Sequence, residues 1–398
     1  MAWFAWVSTA ALLLWAYLVL ARGHFWVPDQ TLPALPDPAR WPAVAAVVPA
    51  RDEAALLPRT LPTLLSQRYP GPFRVVLVDD RSRDGTAEVA RALGAGDPRL
   101  TVVRGTEPPP GWAGKVWAMA QGLAAAGGGA QYVLFTDADV AHGPDVLASL
   151  VRAAEARGLD LVSQMARLHA DSFWERLLIP AFVYFFAQLY PFRWVNRPDR
   201  RTAAAAGGCL LVRLAALREA GGLEAVAGAL IDDVALARLL KPRSPGGTWL
   251  GHGRDIRSLR PHPRLRDVWD LVARTAYTEL RHSPLLLVAT AAGLLFAYAL
   301  PPLAALTGLA ATLASPSAAS RLLLSTGAAA WALMALSYAP TARSYGLSSV
   351  RGLVLPAVAL LYLAMTVDSA LRHLRGRGGL WKGRTAPGPR TSRGPGGG

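Results

Sequence analysis

The chain has 398 residues, 52% hydrophobic and 17% charged, with a formal charge of +15 and a single cysteine, Cys209. It has room for a catalytic domain and more, and it is too apolar for a wholly water-soluble protein, so membrane spans are expected. One cysteine excludes an intrachain disulfide and a cysteine-based metal site, and basic residues flanking apolar segments fit lipid headgroups rather than a base-reading face, so no nucleic-acid partner is expected.

Ala2–Ala21 is twenty residues without a charge, long enough to span a bilayer. No Lys or Arg precedes it, so residues 1–22 read as an anchor rather than a cleaved signal. Arg22 and an Arg-rich region follow, which predicts the N-terminus outside and the next domain in the cytoplasm. Residues 23–42 read as a linker, with five prolines between 28 and 42. From Ala43 strands and helices alternate. Ala43–Val48 is an apolar run ending at Pro49, and Glu53–Gln67 reads as a helix with Leu56, Leu57, Leu61, Leu64 and Leu65 on one face. Phe73–Val78 is a second strand, closed by Asp79-Asp80. Thr86–Leu93 is helical, Leu100–Val103 a third strand, and Trp117–Ala126 a helix. Alternation of this kind predicts an α/β domain, a mostly parallel sheet with helices on both faces.

Tyr132–Phe135 is a buried strand that stops at Thr136 and delivers Asp137 and Asp139. Side chains two apart at a strand tip point the same way. Such a pair offers hard oxygen ligands suited to Mg²⁺ or Mn²⁺ shared with a diphosphate. An isolated D-x-D is as well explained by a polar turn, and an EF-hand is excluded because Ala141 and His142 stand at its third-ligand and glycine positions. The company decides. Pro49-Ala50-Arg51-Asp52-Glu53, Asp79-Asp80 and Asp137/Asp139 all lie at carboxyl ends of strands, where open α/β sheets bind ligands. No G-x-G-x-x-G opens a helix after the first strand, and Gly114-Lys115 lacks the rest of a P-loop.

Residues 173–195 are rich in aromatics. They fit a buried core helix or a membrane-interface helix near the site. In Ala203–Val212, Gly207 and Gly208 permit close backbone approach to an acceptor or tight packing, and Cys209 reads as an inert core residue. Ala229–Leu240 places Asp232 and Asp233 at a helix start, where Asp is a common cap. Residues 261–283 read as an amphipathic interface segment. Residues 284–371 hold three apolar stretches, Leu285–Leu313, Leu322–Ala339 and Leu353–Leu371, with Pro301-Pro302 breaking the first. Residues 372–398 carry six Arg, one Lys and no acid, and read as a basic disordered tail. Keeping that tail inside requires an even number of crossings after the catalytic domain, with the first stretch a re-entrant hairpin or one segment lying flat.

As a set, Pro49–Glu53, Val78–Ser82, Gly114-Lys115 with Ala118, Asp137-Ala138-Asp139 and Asp232-Asp233 stand in the order of a family 2 glycosyltransferase of the GT-A fold. The resemblance covers roughly Ala43–Lys241, and implies a catalytic domain over 43–260. GWAGKVWA, the apolar segment after Phe173 and ARTAYTELRHSP are most similar to the hopene-associated glycosyltransferases, bacterial membrane enzymes linked to hopanoid lipids. The resemblance implies a multi-pass inner-membrane protein with a cytoplasmic catalytic domain, moving a sugar from a nucleotide sugar, a UDP-sugar favoured, to a lipid acceptor by inverting, metal-assisted displacement. It assigns Asp233 as base, Asp139 and Asp137 to the metal, and Pro49, Arg51, Glu53, Asp79, Asp80, Lys115 and Asp137 to the donor, with Arg81 also placed to balance the diphosphate. Gly207, Gly208, Asp232 and Arg281 are the acceptor-side candidates. Asp232 replaces the family's Glu. Processive members carry Q-x-x-R-W near Arg281, but Thr278 and His282 stand where Gln and Trp would be, which disfavours the alternative of a polysaccharide synthase. Transfer to a polyprenyl phosphate is the other alternative. Trp381–Arg384 resembles a W-K-G-R found after the last membrane segment in related enzymes.

Overall fold

The computed structural model describes residues 1–244, 246–376, 378, 380–381 and 384–385. Eight strands form one sheet: β1 (Val44–Ala50), β2 (Phe73–Asp79), β3 (Leu100–Arg104), β4 (Tyr132–Phe135), β5 (Val140–His142), β6 (Leu161–Arg167), β7 (Leu210–Arg213) and β8 (Thr248–Ser258). Their order is β3-β2-β1-β4-β7-β6-β8-β5. The β3-β2-β1-β4 half is parallel, as expected. The other half is mixed: β7 runs antiparallel to both β4 and β6, and β5 is antiparallel to β8. β7 follows the long apolar excursion after β6, which returns the chain from the opposite end of the sheet.

Fifteen α-helices are described: α1 (Ala2–Leu20), α2 (Leu57–Leu65), α3 (Thr86–Leu93), α4 (Gly114–Ala125), α5 (Val146–Arg157), α6 (Phe173–Leu189), α7 (Phe192–Val195), α8 (Leu214–Glu219), α9 (Asp232–Leu240), α10 (Leu265–Ala273), α11 (Ala276–Glu279), α12 (Pro284–Leu294), α13 (Leu300–Ala314), α14 (Ala318–Ser344) and α15 (Leu355–Leu374). The period of two in β1 sorts its side chains to two cores. Val44, Ala46 and Val48 pack with α2 and α5, whereas Ala45 and Val47 pack with α4, α8 and α9. Gly122 lets α4 lie close on β1, since a Cβ there would sit 2.5 Å from Val47 Cγ1.

Several expectations are corrected. α2 starts at Leu57, not Glu53, because the N–H groups of Glu53 and Ala54 are taken by Thr86 Oγ1 (2.8 Å) and Asp84 Oδ2 (2.9 Å) in a turn where Asp52 has φ 52°. α4 starts three residues early, at Gly114, which puts Lys115 in its first turn. Pro301-Pro302 does not break the first apolar stretch. A π-helical turn (Leu295–Ala299) precedes them, and both stand within the first turn of α13, so Pro284–Ala314 is one 31-residue helical run and not a hairpin. The wider turn accommodates prolines that lack the N–H and crowd the preceding carbonyls. The apolar face of α10 and α11 meets protein: Val268, Val272, Ala273 and Tyr277 are buried, and α10 packs on α6 and α15. α15 continues through Leu374, so Arg372 is helical and not tail. Leu380–Trp381 pairs with Arg384–Thr385, while residues 386–398 of the expected disordered tail, and Lys382-Gly383 of the W-K-G-R match, lie outside the described residues.

Four helical runs are long and apolar enough to cross a membrane: Ala2–Leu20, Pro284–Ala314, Ala318–Ser344 and Ser349–Leu374. α1 packs on α14 and α13, with Thr326 Oγ1 donating to Ser8 Oγ (2.8 Å) and Trp15 Nε1 to the Ala297 carbonyl (2.6 Å). α6 is the seam between sheet and helices. Its Ser172–Glu175 capping box fixes its start. Tyr184 and Phe185 meet Tyr298, Tyr338 and Tyr362 edge-on. Of the two readings of residues 173–195, the packing is that of a core helix. The last apolar run meets the domain at both ends: Arg351 donates to the Arg176 carbonyl (3.0 Å), and Arg372 pairs with Asp270 (2.6 Å).

Candidate active site

Three chain segments, far apart in sequence, deliver carboxylates to one cavity of about 1430 Å³. β4 ends at Phe135, and the turn after it presents Asp137 and Asp139. β1 runs out through Pro49 to Glu53, and α9 opens with Asp232 and Asp233. Each is placed by the same local cause: an apolar strand or helix runs out of buried neighbours, and polar residues take over where the chain leaves the core.

The charges are interlocked. Lys115 Nζ lies 2.8 Å from Asp137 Oδ1 and 3.2 Å from Asp232 Oδ2. Burial would depress the Lys115 ammonium, but Asp137, Asp232 and Asp233 hold it well above the usual lysine range. Burial likewise opposes ionisation of Asp137, yet Lys115 keeps its carboxyl below the ordinary value. Asp139 goes the other way, raised by burial and then by the Asp137 charge. Arg260, just past β8, donates Nε to Asp139 Oδ2 at 2.9 Å and pairs with Glu53. Asp233 accepts from the Gly207 N–H at 2.7 Å and from its own helix at Val234 N (2.8 Å). Burial, then the neighbouring Asp232 charge, push the Asp233 carboxyl up to about 7. Gly207 leaves room there, since a Cβ would lie 3.3 Å from both Asp233 Oδ2 and Lys115 Nζ.

The sequence candidates divide. Pro49, Glu53, Lys115, Asp137, Asp139, Gly207, Gly208, Asp232 and Asp233 all line the cavity. Arg51, Asp79 and Asp80 do not: Arg51 Nη1 bonds the Asp80 carbonyl (3.1 Å), and Asp79 Oδ1 accepts from Ser82 N (3.1 Å). They lie at the neighbouring strand end, further along the same sheet edge. Arg81 pairs with Glu107 and is also outside the lining. Arg281, with φ 52° in the turn after α11, does not reach the cavity either; Arg274, seven residues earlier, does. Arg260 and Arg274 escape the sequence reading. Thr248–Ser258 alternates poorly, so β8 is not recognisable, and with it the rule that would flag Arg260 just beyond a strand's carboxyl end.

The cavity has a second, apolar end. Leu14 and Leu18 of α1, Phe182 and Phe186 of α6, Leu294 of α12 and Tyr362 of α15 line it. A single space thus runs from the acidic cluster to the apolar helices, larger than an ordinary small-molecule pocket.

Residues 45–221 match the family model described as Glycosyl transferase family 2; the match takes in Glu53, Asp137 and Asp139, while β8, Asp232 and Asp233 lie beyond it. The beta-monoglucosyldiacylglycerol synthase of Synechocystis sp. (strain ATCC 27184 / PCC 6803 / Kazusa) is 31% identical over 180 residues, 44% of this chain. The match spans 36% of that relative's length. Among solved structures, the mannosyltransferase PcManGT from Pyrobaculum calidifontis, in complex with GDP-Man and Mn²⁺, has a TM-score of 0.56 at 22% identity, covering 94% of this chain and 99% of that one. At that identity the likeness is one of fold, and it includes the GT-A-like sheet.

Proposed function

We propose that this protein is a membrane-bound glycosyltransferase that moves a sugar from a nucleotide sugar to the hydroxyl of a lipid, with inversion at the anomeric carbon. One observation carries the reading: the cavity that holds Asp137, Asp139 and Asp233 at one end is walled at the other by α1, α6, α12 and α15. A lipid whose chains occupy the apolar end presents its polar head to the carboxylates.

Asp233 takes the acceptor proton. A carboxyl pushed up to about 7 holds a proton far better than an ordinary aspartate, which suits it to general-base work near neutral pH. The Gly207 N–H and the start of α9 fix its orientation. As the acceptor oxygen bonds to the anomeric carbon, the bond to the diphosphate oxygen breaks from the opposite face, so an α-linked donor gives a β-linked product. Lys115, between Asp137 and Asp232, ties the donor-side carboxylate to the base-bearing helix.

Asp139 and Asp137 fit a hard divalent cation, Mg²⁺ or Mn²⁺. Two carboxylates are a sufficient protein contribution where diphosphate oxygens and water complete the shell. When bound, the ion supplies Lewis-acid neutralisation of the diphosphate.

The relative named as a glucosyldiacylglycerol synthase supports a glycerolipid acceptor, and the hopene-associated text supports a hopanoid. The helices support a domain on the cytoplasmic side of the bacterial inner membrane. Because the last apolar run meets the domain at both ends, two full crossings follow the domain and the tail returns to its side. A C-terminal reporter active only in the periplasm would refute that orientation.

The direct test incubates purified protein with UDP- and GDP-sugars, Mn²⁺ and lipid extract. Lipid-dependent release of nucleoside diphosphate, together with a new glycolipid by mass spectrometry, is expected. Lipid-independent release, or none with any donor, refutes the acceptor assignment or the reaction.

A further inference from the structure

Of the cations that line the cavity, three act on Asp137: Lys115, Arg260 and Arg274. Lys115 is bound by Asp137 and Asp232, and Arg260 by Asp139 and Glu53. The third, Arg274, has no side-chain hydrogen bond or ion pair among the described residues, although it lines the same space. Its charge is felt by Asp137, and it in turn feels Asp137, Asp232 and Asp139, so its guanidinium lies on the D-x-D side. Burial pushes that guanidinium below the usual arginine range, and the carboxylates only partly offset this. Arg cannot shed its proton to escape. A guanidinium that lines the cavity with no side-chain partner among the described residues is matched to an anion that arrives with the substrate.

Its placement is deliberate in the fold. Arg274 is the residue that ends α10. α10 is held by Trp269 Nε1 donating to Asp368 Oδ2 (2.7 Å) and by Arg372 Nη1 to Asp270 Oδ1 (2.6 Å), both contacts to α15. Val268 and Val272 bury its other face in the core shared with α6. The helix that points Arg274 into the site is therefore braced by an apolar helix outside the matched domain.

We propose that Arg274 is a catalytic residue that grips the departing diphosphate of the sugar donor. The proposal rests on the nucleotide-sugar reading above. As the sugar–oxygen bond breaks, its electron pair stays on the diphosphate oxygen, and the Arg274 N–H groups donate to the charge that builds there. No proton is transferred from Arg274; the acceptor's proton goes to Asp233. The planar guanidinium suits two parallel bonds to phosphate oxygens, which a lysine in that place does not reproduce.

The test measures binding, not turnover. The full-length protein in detergent, wild type, Arg274→Gln and Arg274→Lys, is titrated with UDP and GDP in Mn²⁺, and with uridine and guanosine. Gln keeps the size and removes the charge. For the nucleotide that the wild type binds, Arg274→Gln is expected to lose about ten- to a hundredfold in diphosphate affinity, with nucleoside affinity unchanged and Arg274→Lys in between. Equal diphosphate affinity in wild type and Arg274→Gln overturns the assignment of Arg274 while leaving the donor reading intact. A wild type that binds neither diphosphate overturns the donor reading itself. A variant that loses nucleoside binding to the same extent shows a structural role, and that result also overturns the proposal.

Discussion

Asp233→Asn is the substitution for which the structure makes opposed predictions about activity and stability. The carboxyl stands at about 7 in place of its ordinary 3.8. At ~1.4 kcal/mol per tenfold change in proton affinity, keeping it ionised in that pocket costs on the order of 4 kcal/mol. Because the folded-state value is raised, the folded protein holds the proton more tightly than the unfolded chain. Stability is therefore greatest at low pH and is lost as pH rises from about 4 through about 7. Asparagine never ionises and escapes that cost. It also has one acceptor oxygen where Asp233 uses two, for Gly207 N and Val234 N, so it forfeits one hydrogen bond, about 1 kcal/mol. The variant should thus be less stable than wild type at pH 3, by about 1 kcal/mol, and more stable at pH 8, by roughly 3 kcal/mol, when both unfold thermally in detergent with EDTA. Transfer should fall roughly 10²- to 10⁴-fold, as expected for loss of a general base, and the wild-type rise of rate with pH toward neutrality should disappear. A difference in melting temperature that does not change with pH refutes the buried-carboxylate account. Retained transfer removes Asp233 as base.

Asp139→Asn should leave nucleoside binding intact and abolish the Mn²⁺-dependent gain in nucleoside diphosphate affinity, measured by titration with and without EDTA; an unchanged gain places the ion elsewhere. Gly207→Ala sets a methyl group 3.3 Å from Asp233 Oδ2 and Lys115 Nζ. It should lower kcat by about 10²-fold through misplacement of the base, with donor KM little changed, and a wild-type kcat contradicts the crowding. Phe185→Ser empties a site between Tyr298 and Tyr362, ring centroids 5.6 and 4.9 Å away. It should cost about 3–5 kcal/mol of stability, seen as a lower melting temperature; altered membrane association with unaltered melting would restore the interface-helix reading.

The parallel half of the sheet and its acidic rim were legible because they obey local rules. Val44–Val48 and Val75–Val78 are short apolar runs whose alternate side chains enter two cores, and each stops at charged residues. Asp232 and Asp233 announced a helix start, and the helix begins there. What was not legible depends on tertiary context. The antiparallel β7 is set by where α6 and α7 return the chain, which no local pattern records. Arg281 looked suitable because of its spacing to a motif, yet the break between α10 and α11 turns it away and leaves Arg274 in place. The elevated Asp233 carboxyl requires knowing that Gly207, Asp232 and Lys115 surround it, and those residues come from three separate segments.

The anchoring of α1 has a consequence for biosynthesis. Leu14 and Leu18 wall the cavity, but the partners that seat α1, Ala297 and Thr326, lie 282 and 318 residues later in the chain than Trp15 and Ser8. At about 5–20 residues per second, the ribosome needs roughly 15–60 s to supply them. During that interval the residues of the sheet and its polar rim are made, and the apolar wall that includes Leu14 and Leu18 closes only once residue 326 has been added. The place proposed for the donor is therefore made before the enclosure proposed for the acceptor.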